Sequence, residues 1–355
     1  MCGRTACTLA PDEVCKACSS RTLDSKGNKQ YRAAAWRDHP GNHNYSPRQN
    51  VAPTSFTPVM LSERHVRGVK RQSEGEEVPS KYVIQPMMWG LIPPFYKGPS
   101  ATGHGFKTNN CRVEDIEEKK SYKPSLLKGQ RCVILCDGFY EWQSTKGEKE
   151  KQPYFIYAPQ PEGVEIWNRD TWDKPDVWSE EEGWKGPRLL KMAGLFSSWT
   201  SSEGEEVMSY TVVTMESGKK FGELHHRVPA ILETDQEVED WLDHSRLGYK
   251  EALANLKNDT EITWHPVSKN VNNSRNQEGD LMSPTSLDQK PKETASSKLM
   301  ASWLSKAPPK QSGIKKEPTT PDSIKKESQA ANVKKEVKPS PLAKWLKKGH
   351  KNEKE

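Results

Sequence analysis

The second residue of the chain, Cys2, has the most distinctive chemistry. Removal of Met1 from Met1-Cys2-Gly3 would expose an amine and a thiol on adjacent carbon atoms. Because an α-amine has a pKa of about 8, a useful fraction of it is uncharged and nucleophilic at neutral pH. Such a 1,2-aminothiol can condense with an aldehyde to a Schiff base, which the thiol closes to a thiazolidine ring. An N-terminus of no special function is the alternative interpretation.

Three short motifs place an arginine two residues after a polar or reactive side chain. They are Cys2-Gly3-Arg4, Asn110-Cys111-Arg112 and His225-His226-Arg227. Because residues i and i+2 share a face of an extended chain, each motif could present a chemical group and a guanidinium to one groove. Guanidinium geometry suits phosphate oxygens. Three unrelated surface arginines are the alternative.

A carboxylate, Glu141, lies in an aromatic stretch with the sequence CDGFYEW at 136–142. Burying a carboxylate among aromatic rings is costly unless it is paired, so Glu141 is either a salt-bridge partner of an arginine or a functional group. A functional Glu141 would hold the α-ammonium group of Cys2 or accept its proton.

The motifs MCGR, NNCR, DGFYEW and HHRVPAIL, in this order, resemble the SOS-response-associated peptidase family over about residues 1–275. The resemblance implies that Cys2 is the nucleophile and that Asn110 holds the N-terminus and the sugar end of a DNA lesion. It implies that Glu141 is the carboxylate needed to sense an abasic site. His225 corresponds to the acid/base that opens the sugar ring, stabilises the cross-link and assists its reversal.

The activity implied by the resemblance is the trapping of abasic sites in single-stranded DNA. The ring-opened aldehyde would form a covalent thiazolidine on Cys2, which protects the strand from cleavage during replication-coupled repair. Self-processing by a peptidase activity, cross-link reversal and weak lyase activity are further implications. Aminopeptidase removal of Met1 would serve as well as self-cleavage. The alternatives are an N-terminal-nucleophile thiol peptidase and a non-covalent reader of modified cytosine in DNA.

The resemblance also indicates which residues would contact DNA. They are Arg4, Arg112 and Arg227 at backbone-binding positions, together with Asn50, Trp89, Phe95 and Thr214. The ring of Phe95 would stack at a strand junction. The family commonly has Arg where Met88 stands and Trp where Phe95 stands, so one phosphate contact and some stacking area are expected to be weaker. No cofactor is expected.

The elements that must position these residues include more strands than helices. Strands are predicted at 82–92, 131–136, 139–142, 153–158, 190–199, 209–215 and 261–267, and helices at 10–19, 234–244 and 249–256. Thr234 and Glu237 form a capping box. We therefore predict an α+β domain whose core is a largely antiparallel β-barrel with flanking helices. The polar stretches 67–80 and 162–185 are predicted to be long surface loops.

Composition divides the chain near residue 275. From residue 277 onward there are 17 Lys and no Arg against 10 acidic residues, whereas the preceding part is close to neutral. We predict a catalytic abasic-site-processing domain at 1–275 and a disordered Lys-rich tail at 276–355. No apolar run approaches the roughly 20 residues that cross a bilayer, and the N-terminus lacks the apolar core of a signal peptide. A soluble, intracellular monomer is expected.

Short repeats in the predicted tail suggest partners. The sequences at 314–317, 324–327 and 333–336 fit the apolar-Lys-x-acidic acceptor pattern of SUMO, so SUMO or ubiquitin machinery is an expected partner; a solvated charge run is the alternative. The segments around Trp303 and Trp345 have the apolar spacing of a groove-binding helix. The resemblance implies that one of them binds the replication sliding clamp. The lysines suit nuclear import, to the chromosome and replication forks.

The chain has seven cysteines, an odd number that indicates reduced thiols rather than a disulfide framework. Cys15-Lys16-Ala17-Cys18 is a CxxC pair, but a zinc site needs a second pair at suitable spacing. Cys132 and Cys136 are better explained by burial in a strand. No metal site is expected.

Overall fold

The computed structural model describes residues 2–23, 27–63, 65, 81–143 and 151–287. Within these ranges the strands are β1 (Thr5–Cys7), β2 (Ser20–Leu23), β3 (Lys29–Arg32), β4 (Ala35–Trp36), β5 (Arg48–Val51), β6 (Phe56–Ser62), β7 (Tyr82–Trp89), β8 (Asn110–Arg112), β9 (Arg131–Cys136), β10 (Gly138–Gln143), β11 (Gln152–Tyr157), β12 (Trp178–Ser179), β13 (Gly183–Trp184), β14 (Leu190–Thr200), β15 (Glu206–Glu216), β16 (Arg227–Pro229) and β17 (Thr263–Pro266). The helices are α1 (Pro11–Ala17), α2 (Lys123–Leu127), α3 (Lys219–Gly222), α4 (Asp235–Leu242) and α5 (Tyr249–Ala254). Among the residues described, no helix is long and apolar enough to cross a membrane.

The centre of the fold is a closed barrel. β15 pairs antiparallel with β14, β14 with β9, β9 with β6, and β6 with β7. β7 then closes the ring onto β15 in parallel orientation, with Ser209 opposite Met88 and Tyr210 opposite Trp89. The predicted α+β class, with a largely antiparallel barrel-like core and flanking helices, is confirmed.

A second sheet carries the N-terminus of the chain. Its strand order is β17-β11-β10-β1-β5, with β1 between β10 and β5. The chain passes from the barrel into this sheet at Asp137, between β9 and β10. A Cβ atom on Gly138 would lie 2.3 Å from the backbone oxygen of Ile156, so the close approach of β11 requires glycine there. The predicted break in the strand is confirmed, and the two halves belong to different sheets.

Strand β9 is buried along its whole length. Cys132, Ile134 and Cys136 pack in the hydrophobic cluster that also contains the N-terminal cysteine, whereas Val133 and Leu135 pack in the cluster that includes helix α4. Burial on both faces explains why the strand is a continuous apolar run without alternation.

Helix α4 begins at the predicted capping box. The Thr234 hydroxyl accepts a hydrogen bond from the Glu237 backbone N–H, and the Glu237 carboxylate accepts one from the Thr234 N–H, both at 3.2 Å. Its apolar stripe is buried, and the Trp241 indole donates to the Cys132 carbonyl at 2.9 Å. This bond ties the helix directly to the barrel wall.

The sequence predicts a long surface loop for the polar stretch 162–185, but the structure has regular elements there as well. It contains a short 3₁₀ helix (Arg169–Thr171) and the β12–β13 hairpin, and it buries Ile166 and Trp172. Arg169 covers the Trp172 ring at 4.6 Å. A few apolar side chains within a charged segment are enough to anchor it, which average polarity does not reveal. The other predicted loop, 67–80, lies outside the described residues.

Residues 277–285 pack against the folded unit, although composition assigns them to the tail. Leu281 and Met282 are buried, the Gln277 side-chain amide donates to the Asn50 carbonyl, and the Leu281 N–H donates to the Gln49 side-chain oxygen. The predicted SUMO-acceptor repeats and the Trp303 and Trp345 segments lie outside the described residues.

The turn residue Asp137 gives the fold a pH dependence. Its carboxylate is buried and accepts a hydrogen bond from the Thr8 N–H at 2.7 Å. Burial raises the pKa of Asp137 to about 7. The pKa of Asp137 is thus higher in the folded protein than in the unfolded chain. Its contribution to the free energy of unfolding is therefore greatest at acid pH and is lost as the pH rises from about 4 to about 7.

We expect Asp137→Asn to remove this pH-dependent loss of stability, which is on the order of a few kcal/mol. Urea unfolding at pH 4.5 and pH 8 would then show a smaller decline with pH for the variant than for the wild type. The control is Asp12→Asn: the hydrogen bond from Lys16 lowers the pKa of Asp12, so this group titrates below the tested interval and the variant should keep the wild-type pH dependence. Equal pH dependence of Asp137→Asn and the wild type would contradict the expectation.

Candidate functional site

Cys2 is buried, with 1% of its surface exposed, and its backbone forms a hydrogen bond with a side chain of β8. The Asn110 side-chain amide donates a hydrogen bond to the Cys2 carbonyl oxygen at 2.5 Å. Asn110 begins β8, which pairs in parallel with β15, and the Tyr122 hydroxyl donates to the Asn110 carbonyl at 3.1 Å. The predicted association of Cys2 with Asn110 is therefore present in the structure.

Glu141 and His225 complete the group around Cys2. Glu141 is buried on β10, and its carboxylate Oε1 lies 3.9 Å from Nδ1 of His225. Burial, and then the charge of Glu141, raise the pKa of the Cys2 thiol well above its usual value. The thiol is therefore protonated at neutral pH. The structure brings together all four residues that the sequence assigns to the chemistry.

The loop between α3 and β16 fixes the orientation of His225. The Ser217 hydroxyl donates to the His225 carbonyl at 2.7 Å, and the His225 N–H donates to the Phe221 carbonyl at 3.0 Å. Nδ1 of the ring lies 3.1 Å from the backbone N of Arg227 and 3.0 Å from its carbonyl oxygen. Nδ1 therefore has a backbone partner whether it carries a proton or not, so the ring can exchange a proton without losing its anchor.

The three predicted phosphate-binding arginines have different surroundings. Nη1 of Arg4 donates to Asn50 Oδ1 at 2.7 Å and to the Val271 carbonyl at 2.9 Å. Arg112 is exposed at the end of β8. Arg227 is largely buried and forms an ion pair with Glu114. Arg112 is thus the one of the three whose side chain faces solvent.

Three other predicted DNA contacts are buried in the structure. Trp89 is fully buried, stacks on Tyr210 at 6.4 Å and donates to the Asn109 carbonyl at 3.0 Å. Asn50 is 2% exposed, and its amide nitrogen donates to three carbonyl oxygens at 271–276. Thr214 is also buried, with its hydroxyl 3.4 Å from the Cys111 carbonyl. All three side chains therefore form hydrogen bonds within the protein and are not exposed at its surface.

Phe95 is half-exposed, and it forms an edge-to-face pair with Phe106 at 5.9 Å. The ring of His104 stacks on Phe106 at 5.9 Å with an angle of 17°. Phe106 is not among the predicted DNA contacts, although it lies only four positions before Asn110 in the sequence. A cleft of about 300 Å³ lies beside these rings, between Trp89-Gly90 and residues 101–109.

A larger cleft of about 540 Å³ is lined by Arg188, Lys191 and Glu233 among others, and by none of the residues assigned to chemistry. This cleft is therefore not part of the site around Cys2. The seven cysteines are free and buried, including Cys15 and Cys18 of the CxxC pair. In the described ranges, no group of three His, Cys, Asp or Glu residues is placed to hold a metal ion.

Removing the charge of Glu141 should make the Cys2 thiol easier to ionise. We expect Glu141→Gln to lower the pKa of this thiol, since the negative charge opposes a thiolate. Peptide-resolved mass spectrometry of alkylation against pH would show a Cys2 curve displaced to lower pH. Glu223→Gln is the charge-matched control, because Glu223 is an exposed carboxylate two residues before His225 and is not among the charges that shift the pKa of Cys2. An unchanged Cys2 curve in Glu141→Gln would refute the coupling.

The model of the SOS response associated peptidase (SRAP) family matches residues 1–274. The chain is 42% identical to the abasic site processing protein HMCES of Xenopus tropicalis, over 98% of this chain and 96% of that protein. It is 39% identical to the HMCES protein of Rattus norvegicus, over 92% of this chain and 87% of the relative.

A solved structure from Bordetella bronchiseptica has a similar fold. It aligns with a TM-score of 0.51 at 18% identity, over 75% of this chain and all of that one. At this identity the similarity concerns the fold alone.

Proposed function

Because the chain belongs to the SOS response associated peptidase family, we propose that it processes abasic sites in DNA by linking Cys2 covalently to the sugar aldehyde. The observation that carries the proposal is the grouping of Asn110, Glu141 and His225 around Cys2. The names of the frog and rat relatives support the substrate, since both are abasic site processing proteins.

The reaction begins with opening of the sugar ring. An abasic deoxyribose is mostly a closed hemiacetal, whose aldehyde is masked. His225 protonates the ring oxygen as the C1–O bond breaks, and the hydroxyl proton at C1 is released as the aldehyde forms. The two backbone contacts of Nδ1 support this role, because they hold the imidazole in place in both protonation states.

The α-amine of Cys2 then attacks the aldehyde. Once Met1 has been removed, this amine lies beside the carbonyl group that Asn110 holds. The two protons that the amine loses pass through Glu141 to the aldehyde oxygen, which leaves the carbinolamine as water to give a Schiff base. The thiol adds across the C=N bond, its sulfur bonding to carbon and its proton passing to nitrogen. One water molecule is lost in total.

The raised thiol pKa supports this order of events. A protonated thiol is a weak nucleophile, so the amine reacts first and the sulfur attacks only when the imine is next to it. A thiazolidine also avoids the β-elimination that a persistent Schiff base permits. The strand is therefore protected from breakage, and residual Schiff base accounts for a weak lyase activity.

Single-stranded DNA is the proposed form of the substrate. The exposed guanidinium of Arg112 would bind a phosphate group near the lesion, and the half-exposed rings of Phe95 and Phe106 would stack with unpaired bases. His225 also assists reversal of the cross-link, and Met1 is removed by self-cleavage or by an aminopeptidase. A nuclear site of action, at replication forks, is part of the proposal.

The direct test is the intact mass of the purified full chain before and after incubation with abasic single-stranded DNA. We expect loss of Met1 and a denaturation-resistant adduct whose mass equals protein plus DNA minus one water. Cys2→Ala should give no adduct, whereas Cys18→Ala, a matched removal of a buried cysteine, should react like the wild type. An adduct of normal yield on Cys2→Ala would refute the proposal.

The competing functions have different signatures in the same assay. A thiol peptidase would turn over peptides without DNA and lose that activity in Cys2→Ala. A non-covalent reader of modified cytosine would bind duplex DNA reversibly and in a salt-dependent manner, with or without Cys2.

His225→Ala tests ring opening separately from condensation. We expect adduct formation with a natural abasic site to slow by roughly 100-fold or more, as for loss of a general acid. With an oligonucleotide carrying an acyclic aldehyde, which needs no ring opening, the variant should react nearly as fast as the wild type. Equal slowing with both substrates would assign His225 to a later step.

A further inference from the structure

The two terminal nitrogens of the Arg227 guanidinium are occupied within the protein. Nη1 donates to Oε1 of Glu114 at 2.7 Å, and Nη2 donates to Oε2 of the same carboxylate at 3.0 Å. Nη2 also donates to the Thr214 carbonyl at 2.7 Å. The Arg227 side chain is 8% exposed, whereas the Glu114 side chain is 49% exposed. The pair therefore joins a fixed, buried cation to an accessible carboxylate.

Glu114 lies next to the groups that the proposed reaction uses. It is on the 3₁₀ helix Val113–Asp115, directly after β8 with its Asn110 and Arg112. The pKa of Glu114 is lowered, mainly by the hydrogen bond from Arg227 and to a smaller extent by the charge of Arg112. Both arginines also contribute to lowering the pKa of His226, after burial and His225. The charges of Glu114, Arg112 and Arg227 therefore lie close enough together to influence one another.

A carboxylate and a phosphodiester present the same feature to arginine. Each offers two oxygens that accept parallel hydrogen bonds from the guanidinium fork. A DNA strand bound at Arg112 would bring a phosphate close to the Glu114 carboxylate, and two negative charges at that distance repel each other. Arg227 cannot move to a new partner, since Thr214 and the surrounding core hold it. Glu114 can move, because half of its side chain faces solvent.

We propose that the Glu114 carboxylate occupies the position on Arg227 that a DNA phosphate takes, and that DNA binding displaces it. The inference rests on the proposed function, because it concerns the same DNA strand. Displacement weakens binding of any DNA strand by the energy of the Glu114–Arg227 pair. Glu114 therefore sets the affinity of the site for DNA without touching the reacting atoms, and limits occupancy by strands that lack a lesion.

The test is reversible binding of single-stranded DNA containing tetrahydrofuran, an abasic analogue without an aldehyde, to the full-length chain. We expect Glu114→Gln to bind roughly 2- to 5-fold more tightly than the wild type, since the half-exposed Glu114 carboxylate no longer competes for Arg227. The logarithm of the binding constant should also fall more steeply with the logarithm of salt concentration, by about one unit of slope.

Asp115→Asn is the matched control. It removes one negative charge from the same 3₁₀ helix, but Asp115 pairs with Lys119 at 2.6 Å and not with Arg227. This variant should bind about as tightly as the wild type, and therefore roughly 2- to 5-fold less tightly than Glu114→Gln. Equal affinities of the two variants, or weaker binding by Glu114→Gln, would overturn the proposal. Thermal unfolding checks that Glu114→Gln is folded, and Glu114→Ala, expected to bind more tightly as well, decides the question if it is not.

Adduct formation with aldehyde-bearing abasic DNA separates this inference from the proposed function. Absence of an adduct on the wild type would refute the proposed function. A normal adduct on the wild type, together with equal affinities of Glu114→Gln and Asp115→Asn for the analogue, would refute only the displacement of Glu114.

Discussion

The site depends on keeping the second residue of the chain buried and fixed. Chain ends usually fray, because few contacts oppose their conformational entropy. Here the next residues enter the middle of a sheet, where Thr5 lies opposite Phe139 on β10 and opposite Val51 on β5. The Asn110 amide then holds the carbonyl of Cys2 itself. Backbone pairing with two strands and the hydrogen bond from Asn110 restrict the motion of the reactive atoms. Such restriction favours reaction with a bound substrate.

Burial of Cys2 also has an electrostatic consequence. Away from water, a thiolate beside the Glu141 carboxylate is strongly disfavoured, and the raised thiol pKa reflects both effects. An ordinary cysteine nucleophile needs the opposite environment, with a lowered pKa and a cationic neighbour. The surroundings of Cys2 are therefore unsuited to thiolate catalysis, and they suit a reaction in which a neutral amine acts first. This contrast favours the aldehyde chemistry over a conventional thiol peptidase.

Much of the fold could be predicted from local patterns. The capping box at Thr234, the apolar run of β9 and the turn at Asp137 all follow rules of short range, and each is found as predicted. The parallel closure of β7 onto β15 could not be predicted, because residues more than 100 positions apart form it. The four residues that the motifs assign to the chemistry lie together in the structure. Asn50 and Trp89, which the resemblance lists as DNA contacts, are buried in the structure, and a motif does not show which of its members face inward.

The three motifs with arginine at i+2 show what the spacing does and does not determine. The rule that i and i+2 share a face holds only along an extended segment, and each motif meets a different neighbour. Beside Arg4 lies the Asn50 side chain, and beside Arg227 lies Glu114, whereas Arg112 ends its strand in solvent. The guanidinium groups of Arg4 and Arg227 donate to partners within the protein, and these arginines lie two residues after Cys2 and His225 respectively. The same residue type thus has a protein partner in two motifs and faces solvent in the third, and only the tertiary structure distinguishes these surroundings.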